Sequence, residues 1–485
     1  MKRIEMKLLT VICLFALIFQ NVDAQEIDPL RFKTDGTFKI AQFTDVHWSE
    51  NSENCEATSR TIKMVLENEQ PDLVILTGDI VTDVPAKQGW LTFTKTIIDA
   101  GVPWAVTLGN HDAEPGISRE EIFDLLETLP NFIGEKGPEL TGCGNYTLPI
   151  LSSKGNKTRA LVYCFDSNSY STYKKISNYD WVHFDQINWY RNESQKANME
   201  NNGAPLPALA FLHIPLPEYD DVIGDETIVG VQDEGVASAK INSGLFASML
   251  EMRDVMGVFA GHDHDNNYIG INKDIALAFG QVTGSDAYGK LERGSRIIQL
   301  TEGDFSFDTW IRTADGITDK YNYPAGLLHD DPTVTYHEAV NTNTLIQGVA
   351  YRYFEGDFGS VNDLSSAEYL EAGTIKNFTL EKARKEDYFA FEYNAYLKID
   401  KKGVYRFFTY SDDGSQLFID EELVVDNDGS HSASRKDGSI ALEAGYHKIK
   451  LLYFESYMGE EVKVGISGIS IRETLIPNSM LFIEK

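Results

Sequence analysis

The sequence predicts an α/β domain followed by an all-β sandwich domain. Between residues 38 and 312, continuous apolar runs alternate with segments of helical periodicity, which is typical of a sheet covered by helices. From Gly348 onward, short alternating apolar and polar runs are separated by turn residues, which is typical of antiparallel sheets. The length of 485 residues also exceeds that of one ordinary domain, so two domains are expected.

Two helices of the first domain are predicted from their periodicity. Ile62, Val65 and Leu66 recur at helical spacing within residues 59–69, and this segment ends before Pro71. A capping box at residues 118–121 precedes a second apolar stripe. The predicted strands are the apolar runs at residues 38–43, 73–76, 104–108, 160–165, 208–212, 255–260, 275–279 and 297–300.

The predicted domain limits follow from shifts in composition. The first domain is expected to cover residues 25–312, and the polar segment 313–345 is interpreted as a linker. The sandwich domain is expected to cover residues 346–485. Its predicted strands are residues 349–354, 389–397, 403–410, 417–419 and 445–454.

Residues 1–24 have the three parts of a secretory signal peptide. Positive residues at Lys2, Arg3 and Lys7 precede an apolar stretch, and small or branched residues precede a cut ahead of Gln25. An uncleaved membrane anchor is the alternative, although the apolar stretch is short for a membrane span. We therefore expect an exported protein, periplasmic or extracellular, with no membrane span after cleavage.

The net charge of the chain limits the classes of molecule that it is expected to bind. The formal net charge of −31 argues against nucleic acid, which attracts basic surfaces. An acidic chain can still bind a phosphorylated substrate when bound cations supply local positive charge.

The cysteine pattern allows two interpretations. Cys13 leaves with the signal peptide, so Cys55, Cys143 and Cys164 remain. Cys143 and Cys164 flank two predicted strands, where they could form a disulfide across a hairpin or remain buried thiols. No Cys-x-x-Cys pair is present, so a thiolate zinc site is not expected.

Five short polar motifs follow apolar strands of the first domain. The loops beyond the strand ends of an α/β sheet gather at one site, so we expect these motifs to converge. Imidazole, carboxylate and amide ligands without sulfur suit zinc, iron or manganese. Seven ligands exceed the need of one ion, which favours two ions that share a carboxylate, about 3.5 Å apart. The candidate ligands are Asp45, His47, Asp79, Asn110, His213, His262 and His264.

Each motif alone has a purely structural interpretation, such as a turn or a core histidine. The ordered set is more specific, and it resembles that of the calcineurin-like metallophosphoesterases over residues 38–312. This resemblance implies a four-layer αββα sandwich, in which Asp79 bridges two metal ions. His111 would face the substrate phosphate, and Asp112 would orient His111. Asp45, His47 and His264 would bind the first ion, and Asn110, His213 and His262 the second.

The implied chemistry is hydrolysis of a phosphate ester by a metal-activated water or hydroxide. Two cations neutralise the anionic ester and hold it in line for attack. His111 would stabilise or protonate the leaving oxygen. Phosphomonoesters are the favoured substrates; the alternatives are a phosphodiesterase or nucleotidase, or a non-catalytic glycan-binding surface protein.

One position departs from the purple acid phosphatase branch of this superfamily. That branch has a tyrosine three residues after the bridging aspartate, where this sequence has Thr82. Residues 179–181, 186–190 and 242–246 resemble those of its tyrosine-lacking relatives. A ferric–tyrosinate centre is therefore not expected.

Tyr288 and Arg293 follow a glycine-rich stretch near Gly284 and are candidates for the substrate pocket. The alternative for both residues is an ordinary loop surface.

Residues 346–485 resemble the protective-antigen-type β-sandwich. The resemblance lies in residues 351–356, 403–407, 411–420 and 444–447. In the adhesin branch of that family, paired aspartates hold calcium against sugar hydroxyls, and Asp412 and Asp413 occupy the matching positions. A tight acidic turn without calcium is the alternative. A phosphorylated sugar or glycan is therefore a candidate partner on the basis of this domain alone.

Overall fold

The computed structural model describes residues 28–224, 228–326, 334–342, 344–469 and 471–485. The predicted signal peptide, residues 1–24, lies outside them. The described residues form an α/β sandwich followed by an all-β domain, which confirms the predicted fold class. No helix in these ranges combines the length and the apolar character that a membrane crossing requires.

The described residues of the first domain form two six-stranded sheets and five α-helices. The helices are α1 (Cys55–Glu69), α2 (Ala86–Ala100), α3 (Arg119–Leu126), α4 (Phe184–Glu200) and α5 (Leu245–Met252), and a 3₁₀ helix covers Pro217–Val222. The strands are β1 (Thr37–Phe43), β2 (Leu73–Thr77), β3 (Trp104–Thr107), β4 (Tyr146–Leu151), β5 (Thr158–Cys164), β6 (Ala208–Phe211), β7 (Val255–Ala260), β8 (Ile269–Asn272), β9 (Ile275–Phe279), β10 (Gly294–Thr301), β11 (Phe307–Thr313) and β12 (Gly316–Tyr323).

Each sheet combines parallel and antiparallel strands. The first sheet has the order β12-β11-β10-β1-β2-β3, and β1, β2 and β3 run parallel. The second has the order β4-β5-β6-β7-β9-β8, with a parallel centre from β5 to β9. The central strands are buried on both faces, which explains their continuous apolar sequences.

The sheets pack face to face, with helices on the outside. One apolar core joins Ile62 of α1 and Trp90 of α2 to the first sheet, and it reaches Phe211 and Phe259 of the second sheet. Another joins the second sheet to α4 and α5. The predicted capping box begins α3: Ser118 Oγ accepts from the backbone of Glu121, whose carboxylate accepts from Ser118 N–H.

The predicted linker begins later than the sequence indicated. Residues 316–323 form β12, which pairs with β11 at the edge of the first sheet. Most side chains of the first half of β12 are exposed or half-buried, so their polar character resembles that of a loop. The part of the segment at 327–333, which includes the predicted linker's centre, lies outside the described residues.

Cys143 and Cys164 are free thiols, so the predicted alternative of a disulfide between them is wrong. Cys143, Cys164 and Cys55 are all unpaired. The predicted hairpin exists as β4 and β5, but Cys164 lies opposite Tyr146, and Cys143 precedes the strand. The two sulfurs therefore do not face each other across the hairpin.

The second domain is a sandwich of two antiparallel sheets. One has the path β13-β24-β16-β21-β18-β19, with β14 and β15 attached through β16, and the other has the order β20-β17-β22-β23. Aromatic residues such as Phe391, Tyr393 and Phe407 fill the space between them. The strands are β13 (Leu345–Gln347), β14 (Val349–Glu355), β15 (Glu371–Ile375), β16 (Phe389–Ile399), β17 (Gly403–Asp412), β18 (Ser415–Ile419), β19 (Glu422–Asn427), β20 (Ser434–Leu442), β21 (Gly445–Glu455), β22 (Glu461–Gly468), β23 (Ile471–Leu475) and β24 (Leu481–Glu484), and 3₁₀ helices cover Val361–Ser366 and Asn478–Met480.

Polar contacts join the two domains. Lys401 Nζ lies 2.9 Å from Asp304 Oδ1, and Arg472 Nη2 lies 3.8 Å from Asp274 Oδ2. Arg253 donates to the carbonyl of Glu473. All these contacts involve residues other than the candidate metal ligands.

Candidate metal centre

The candidate ligands lie at the ends of parallel strands from both sheets. Asp45 and His47 follow β1, Asp79 follows β2, and Asn110 follows β3, all in the first sheet. In the second sheet, His213 follows β6, and His262 and His264 follow β7. Because the two sheets pack face to face, these strand ends meet in one buried place.

The backbone of the site is unusual. Asp45, His47, Asp79 and His262 all have positive φ, between 46° and 82°, although none is glycine. Such left-handed conformations in non-glycine residues are uncommon and concentrate at functional sites. The site therefore has the backbone character of a functional centre.

Glycines allow the loops to approach each other closely. A Cβ on Gly109 would collide with the backbone and carboxylate of Asp79. A Cβ on Gly261 would collide with Thr44 Oγ1 and would press on Asp45. The glycines that begin these two motifs are thus required by the packing of one loop on another.

The side chains form two groups joined by Asp79. Asp45, His47 and His264 offer ligand atoms within 4.8 Å of one another, and so do Asp79, His213 and His262. Asp79 Oδ2 is 3.1 Å from His213 Nε2 and 3.9 Å from His47 Nε2, so this carboxylate lies between the groups. His264 Nε2 lies 3.2 Å from Asp45 Oδ1.

Three buried ligand atoms have no hydrogen-bond partner among the described residues. They are His47 Nε2, His262 Nε2 and Asn110 Oδ1. A buried polar atom without a partner is costly, and a metal ion would satisfy each of these atoms. The donor set of nitrogen and oxygen atoms therefore fits the ions that the sequence predicts.

Two histidines are oriented by backbone carbonyls. His213 Nδ1 donates to Thr77 O at 2.7 Å, and His264 Nδ1 donates to Tyr288 O at 3.2 Å. Each bond leaves Nε2 directed at a site carboxylate. This arrangement is typical of metal-binding histidines, whose second nitrogen is held by a neighbouring acceptor.

The electrostatics of the buried groups favour a cation. Burial opposes ionisation of Asp45, but the facing His264 outweighs burial and lowers the pKa of Asp45 to about 2. Burial, assisted by His213, lowers the pKa of His262 to about 3. Burial opposes protonation of His213, yet Asp79 raises the pKa of His213 to about 9. A proton on His213 thus balances Asp79, and a metal ion would compete for the same place.

The expected role of Asp112 is wrong. Asp112 is fully buried and accepts the backbone N–H groups of Asp79, Ile80, Val81 and Gly109 at 2.7–3.1 Å. With both oxygens occupied by this backbone cradle, Asp112 holds the bridging loop and does not orient His111. Burial and the Asp79 carboxylate raise the pKa of Asp112.

Glu114 takes the place that the sequence assigned to Asp112. His111 Nδ1 lies 2.6 Å from Glu114 Oε2. The His111 side chain is about one-third exposed. Nε2 is thus the nitrogen that can meet a substrate oxygen. The signal for Glu114 was its spacing of three residues from His111, which sequence reasoning did not use.

Tyr288 and Arg293, the two candidates for the substrate pocket, make different contacts. Tyr288 stacks on His264, with ring centroids 3.8 Å apart, and its hydroxyl donates to Glu234. Tyr288 is therefore beside the site and half-exposed. The Arg293 guanidinium donates to the carbonyls of Ala287 and Leu291 in its own loop, and its place in the substrate pocket stays a prediction.

Two aromatic residues next to the site were missed as functional candidates. Tyr170 accepts a hydrogen bond from Asn110 Nδ2, and Tyr179 packs edge-on against the His262 ring. Residues 179–181 were noted only as a family-like segment. Tyr170 lies in a loop that has no motif.

The second domain contains a separate acidic cluster. Asp412, Asp413 and Glu455 offer carboxylate oxygens within 4.8 Å of one another, at the ends of β17 and β21. Glu455 Oε1 is buried and has no hydrogen-bond partner in the described part of the chain. Burial, together with Asp413, raises the pKa of Glu455 to about 7. Tyr457 and Met458 are exposed on the loop that follows.

Comparison with known families divides the chain in the same way. Residues 38–266 match the calcineurin-like phosphoesterase family, and residues 345–474 match the PA14 domain family.

Relatives match mainly the first domain. A protein of Arabidopsis thaliana named probable inactive purple acid phosphatase 29 is 33% identical over 303 residues, which cover 56% of this chain and 78% of the relative. Phosphatase DCR2 of Saccharomyces cerevisiae is 30% identical over 338 residues, which cover 61% of this chain and 58% of the relative. A dimetal phosphatase structure from Danio rerio aligns with a TM-score of 0.43 and 12% identity, over 61% of this chain and 99% of that one. Since the name of the plant relative includes "inactive", activity must be argued from the residues of this chain.

Proposed function

Because this chain belongs to the calcineurin-like phosphoesterase family, we propose that it is an exported phosphomonoesterase with two metal ions. The observation that carries the proposal is the pair of ligand groups joined by Asp79, with three buried ligand atoms that lack other partners. A site that had lost its function would be free to lose ligands. Here each side chain that the family resemblance requires is present.

The proposed ligand assignment follows the two groups. Asp45, His47 and His264 would hold the first ion, and Asp79, which lies between the groups, would contribute to both sites. His213 and His262, with the unpartnered oxygen of Asn110, would hold the second. When bound, zinc, iron or manganese ions neutralise the phosphate oxygens and activate the attacking water.

Side chains at the exposed edge of the metal centre would supply the proton for the leaving group and line the approach for the substrate. Glu114 accepts the Nδ1 proton of His111, which fixes the ring and presents Nε2 to the leaving oxygen. Tyr288, stacked on His264, forms one wall of the approach to the site. Thr82 has no phenolate to bind iron, so a strong purple colour is not expected.

A metal-dependence assay with two phosphate-ester substrates tests the proposal. Purified protein is stripped with a strong chelator, reloaded with zinc, manganese or iron(II), and assayed with an aryl phosphate and the corresponding diester. Activity should vanish on stripping and return on reloading, with the monoester turned over faster. Asp79→Ala should lower metal content, whereas the exposed Asp83→Asn, four residues later, should leave metal content unchanged.

The outcomes separate the alternatives. Faster turnover of the diester would support a phosphodiesterase, and turnover of nucleotides alone a nucleotidase. Full activity of the metal-free protein would refute the metal mechanism. Two bound ions without turnover of any ester would favour a non-catalytic surface protein.

For the second domain we propose a calcium-dependent glycan site. The three clustered carboxylates provide the hard oxygen ligands that calcium prefers, and the unpartnered Glu455 oxygen leaves one of them unsatisfied. The exposed Tyr457 offers an apolar ring beside the cluster. Glycan-array binding with and without calcium tests this, with Asp412→Ala plus Asp413→Ala as the variant; no glycan bound by the intact protein would remove the proposal.

Export is proposed from the N-terminal sequence alone. Cleavage before Gln25 would release a periplasmic or extracellular protein. N-terminal sequencing of protein recovered outside the cytoplasm should give Gln25 as the first residue. An intact N-terminus in the membrane fraction would instead indicate an anchor.

A further inference from the structure

A short hairpin follows β5 and covers one side of the metal centre. Residues 169–180 form this hairpin, in which Ser171 N donates to Asn178 O and Asp180 N donates to Ser169 O. Tyr170 and Tyr179 form a β-bridge, and their rings stack with centroids 5.8 Å apart. None of the five motifs includes this segment, which we name the tyrosine hairpin.

Both tyrosines contact candidate ligands of the second ion. Asn110 Nδ2 donates to the Tyr170 hydroxyl at 3.1 Å. The Tyr179 ring meets His262 edge to face, with centroids 4.5 Å apart. The two contacts differ in kind, because the first depends on a hydroxyl and the second on a ring.

The orientation of Asn110 decides whether it can bind a cation. Its side chain ends in one oxygen, which can bind metal, and one NH₂ group, which cannot. With Nδ2 donating to Tyr170, Oδ1 points away into the buried site, where it has no partner in the described structure. The reversed amide would present its N–H donors to the metal.

We propose that Tyr170 is a positioning residue that holds Asn110 with its oxygen toward the second metal ion. This proposal rests on the proposed function, since it assumes that Asn110 binds metal. Partners of this kind typically contribute about 10–100-fold to metal affinity.

Two single substitutions separate the hydroxyl from the ring. Tyr170→Phe removes the hydrogen bond to Asn110 and keeps the stacked ring. Tyr179→Phe is the matched control, because it makes the same chemical change in the same hairpin without touching Asn110. Affinities for the two metal ions are measured by chelator competition on the full-length protein, and thermal unfolding records the integrity of the fold.

The expected result is selective. Tyr170→Phe should weaken the second ion about 10–100-fold and leave the first ion within about threefold. Tyr179→Phe should change either affinity by less than about threefold. Turnover of Tyr170→Phe should recover when metal is raised to saturate the second site, which a damaged fold would not allow.

A second background tests the orientation argument directly. In Asn110→Asp, both terminal atoms are oxygens, so no amide needs to be oriented. Adding Tyr170→Phe to Asn110→Asp should therefore change the second metal affinity far less than it does in the natural sequence. An equal loss in both backgrounds would contradict orientation as the cause.

Failure of this inference and failure of the proposed function would give different experimental results. Two bound ions with unchanged affinity in Tyr170→Phe would overturn this proposal alone. An equal loss in Tyr179→Phe would also overturn it, because the packing of the hairpin would then be responsible. A natural protein that binds no second ion would overturn the proposed function together with this inference.

Discussion

At the scale of single residues, three neighbouring side chains in the loop after β3 have different environments. Asn110 turns inward toward the second ligand group, His111 lies at the partly exposed rim, and Asp112 is buried beneath them. In the proposed function, these three adjacent residues would face a metal ion, a substrate and a backbone cradle. Substitutions in this loop should give three different phenotypes.

His111→Ala should reduce turnover without releasing metal. A positioned acid contributes about 10²–10⁴-fold to rate, and the loss should be greatest for alkyl phosphates, whose leaving groups need the proton most. Metal content and steady-state rates over a series of leaving groups provide the measurement. Loss of one metal equivalent would instead identify His111 as a ligand.

Asp112→Asn should act through structure. Four backbone N–H groups converge on the Asp112 carboxylate, and an amide would turn its NH₂ group toward some of them. We expect the free energy of unfolding to fall by about 2 kcal/mol or more, with weaker metal binding. Asp99→Asn, on the exposed face of α2, is the control in thermal unfolding and should be nearly neutral. A stable Asp112→Asn variant with full metal content would show that the cradle is dispensable.

Residue roles were predictable where a motif fixes the chemistry and unpredictable where a loop fixes the contact. The metal-type side chains could be selected because each follows an apolar strand. Tyr170 could not, since its contact with Asn110 depends on how two loops fold toward each other. Glu114 could have been selected from its spacing of three residues from His111. The sequence around Arg293 did not indicate that its guanidinium donates to carbonyls of its own loop.

At the scale of elements, close packing of the strand-end loops limits what they tolerate. Gly109 lies against Asp79 so tightly that a methyl group has no space. Gly109→Ala should therefore displace Asp79, weaken metal binding and cost about 1–3 kcal/mol of stability. Gly235→Ala is the control, because a Cβ there meets open space. Metal titration of both variants checks this; equal metal affinities would contradict it.

The turn elements around Glu455 should make the second domain sensitive to pH. An unfolded glutamate ionises near 4.5, whereas burial and Asp413 raise the pKa of Glu455 in the folded protein to about 7. The folded state thus binds more protons between these values, and stability should fall as the pH rises through this window. Calcium competes with the same proton, so it should bind more tightly above pH 7 than at pH 6.

Calcium titration and thermal unfolding between pH 5 and 8 measure both effects. Glu455→Gln should remove the pH dependence assigned to this group, because the amide does not titrate. A calcium affinity that is constant over this range would contradict the role of Glu455.

Element boundaries were predicted well for buried strands and poorly for an edge strand. The central strands have continuous apolar sequences because both of their faces are covered. β12 lies at the sheet edge, where polar residues are tolerated, so residues 316–323 resembled a linker.

At the scale of the whole molecule, the candidate metal centre is built from the first domain. All seven candidate ligands lie in the first domain, and the described contacts between the domains involve other residues. A fragment of residues 25–326 should therefore keep hydrolysis of small aryl phosphates. Its melting temperature should be lower than that of the full chain, because Asp304 and Asp274 lose Lys401 and Arg472. Circular dichroism and aryl-phosphate turnover test this, and a folded, metal-loaded but inactive fragment would show that the second domain completes the site.

The division of the ligands between two sheets also bears on where the protein acquires its metal. The first ion needs Asp45 and His264, which are far apart in the chain, and their strands meet only after both sheets have packed. A newly made or translocating chain therefore has no binding site to load. If the chain is exported before it folds, we expect its ions to come from the medium in which folding is completed. The identity of the metals bound to the native protein would then depend on the metals available outside the cytoplasm and not on those inside it.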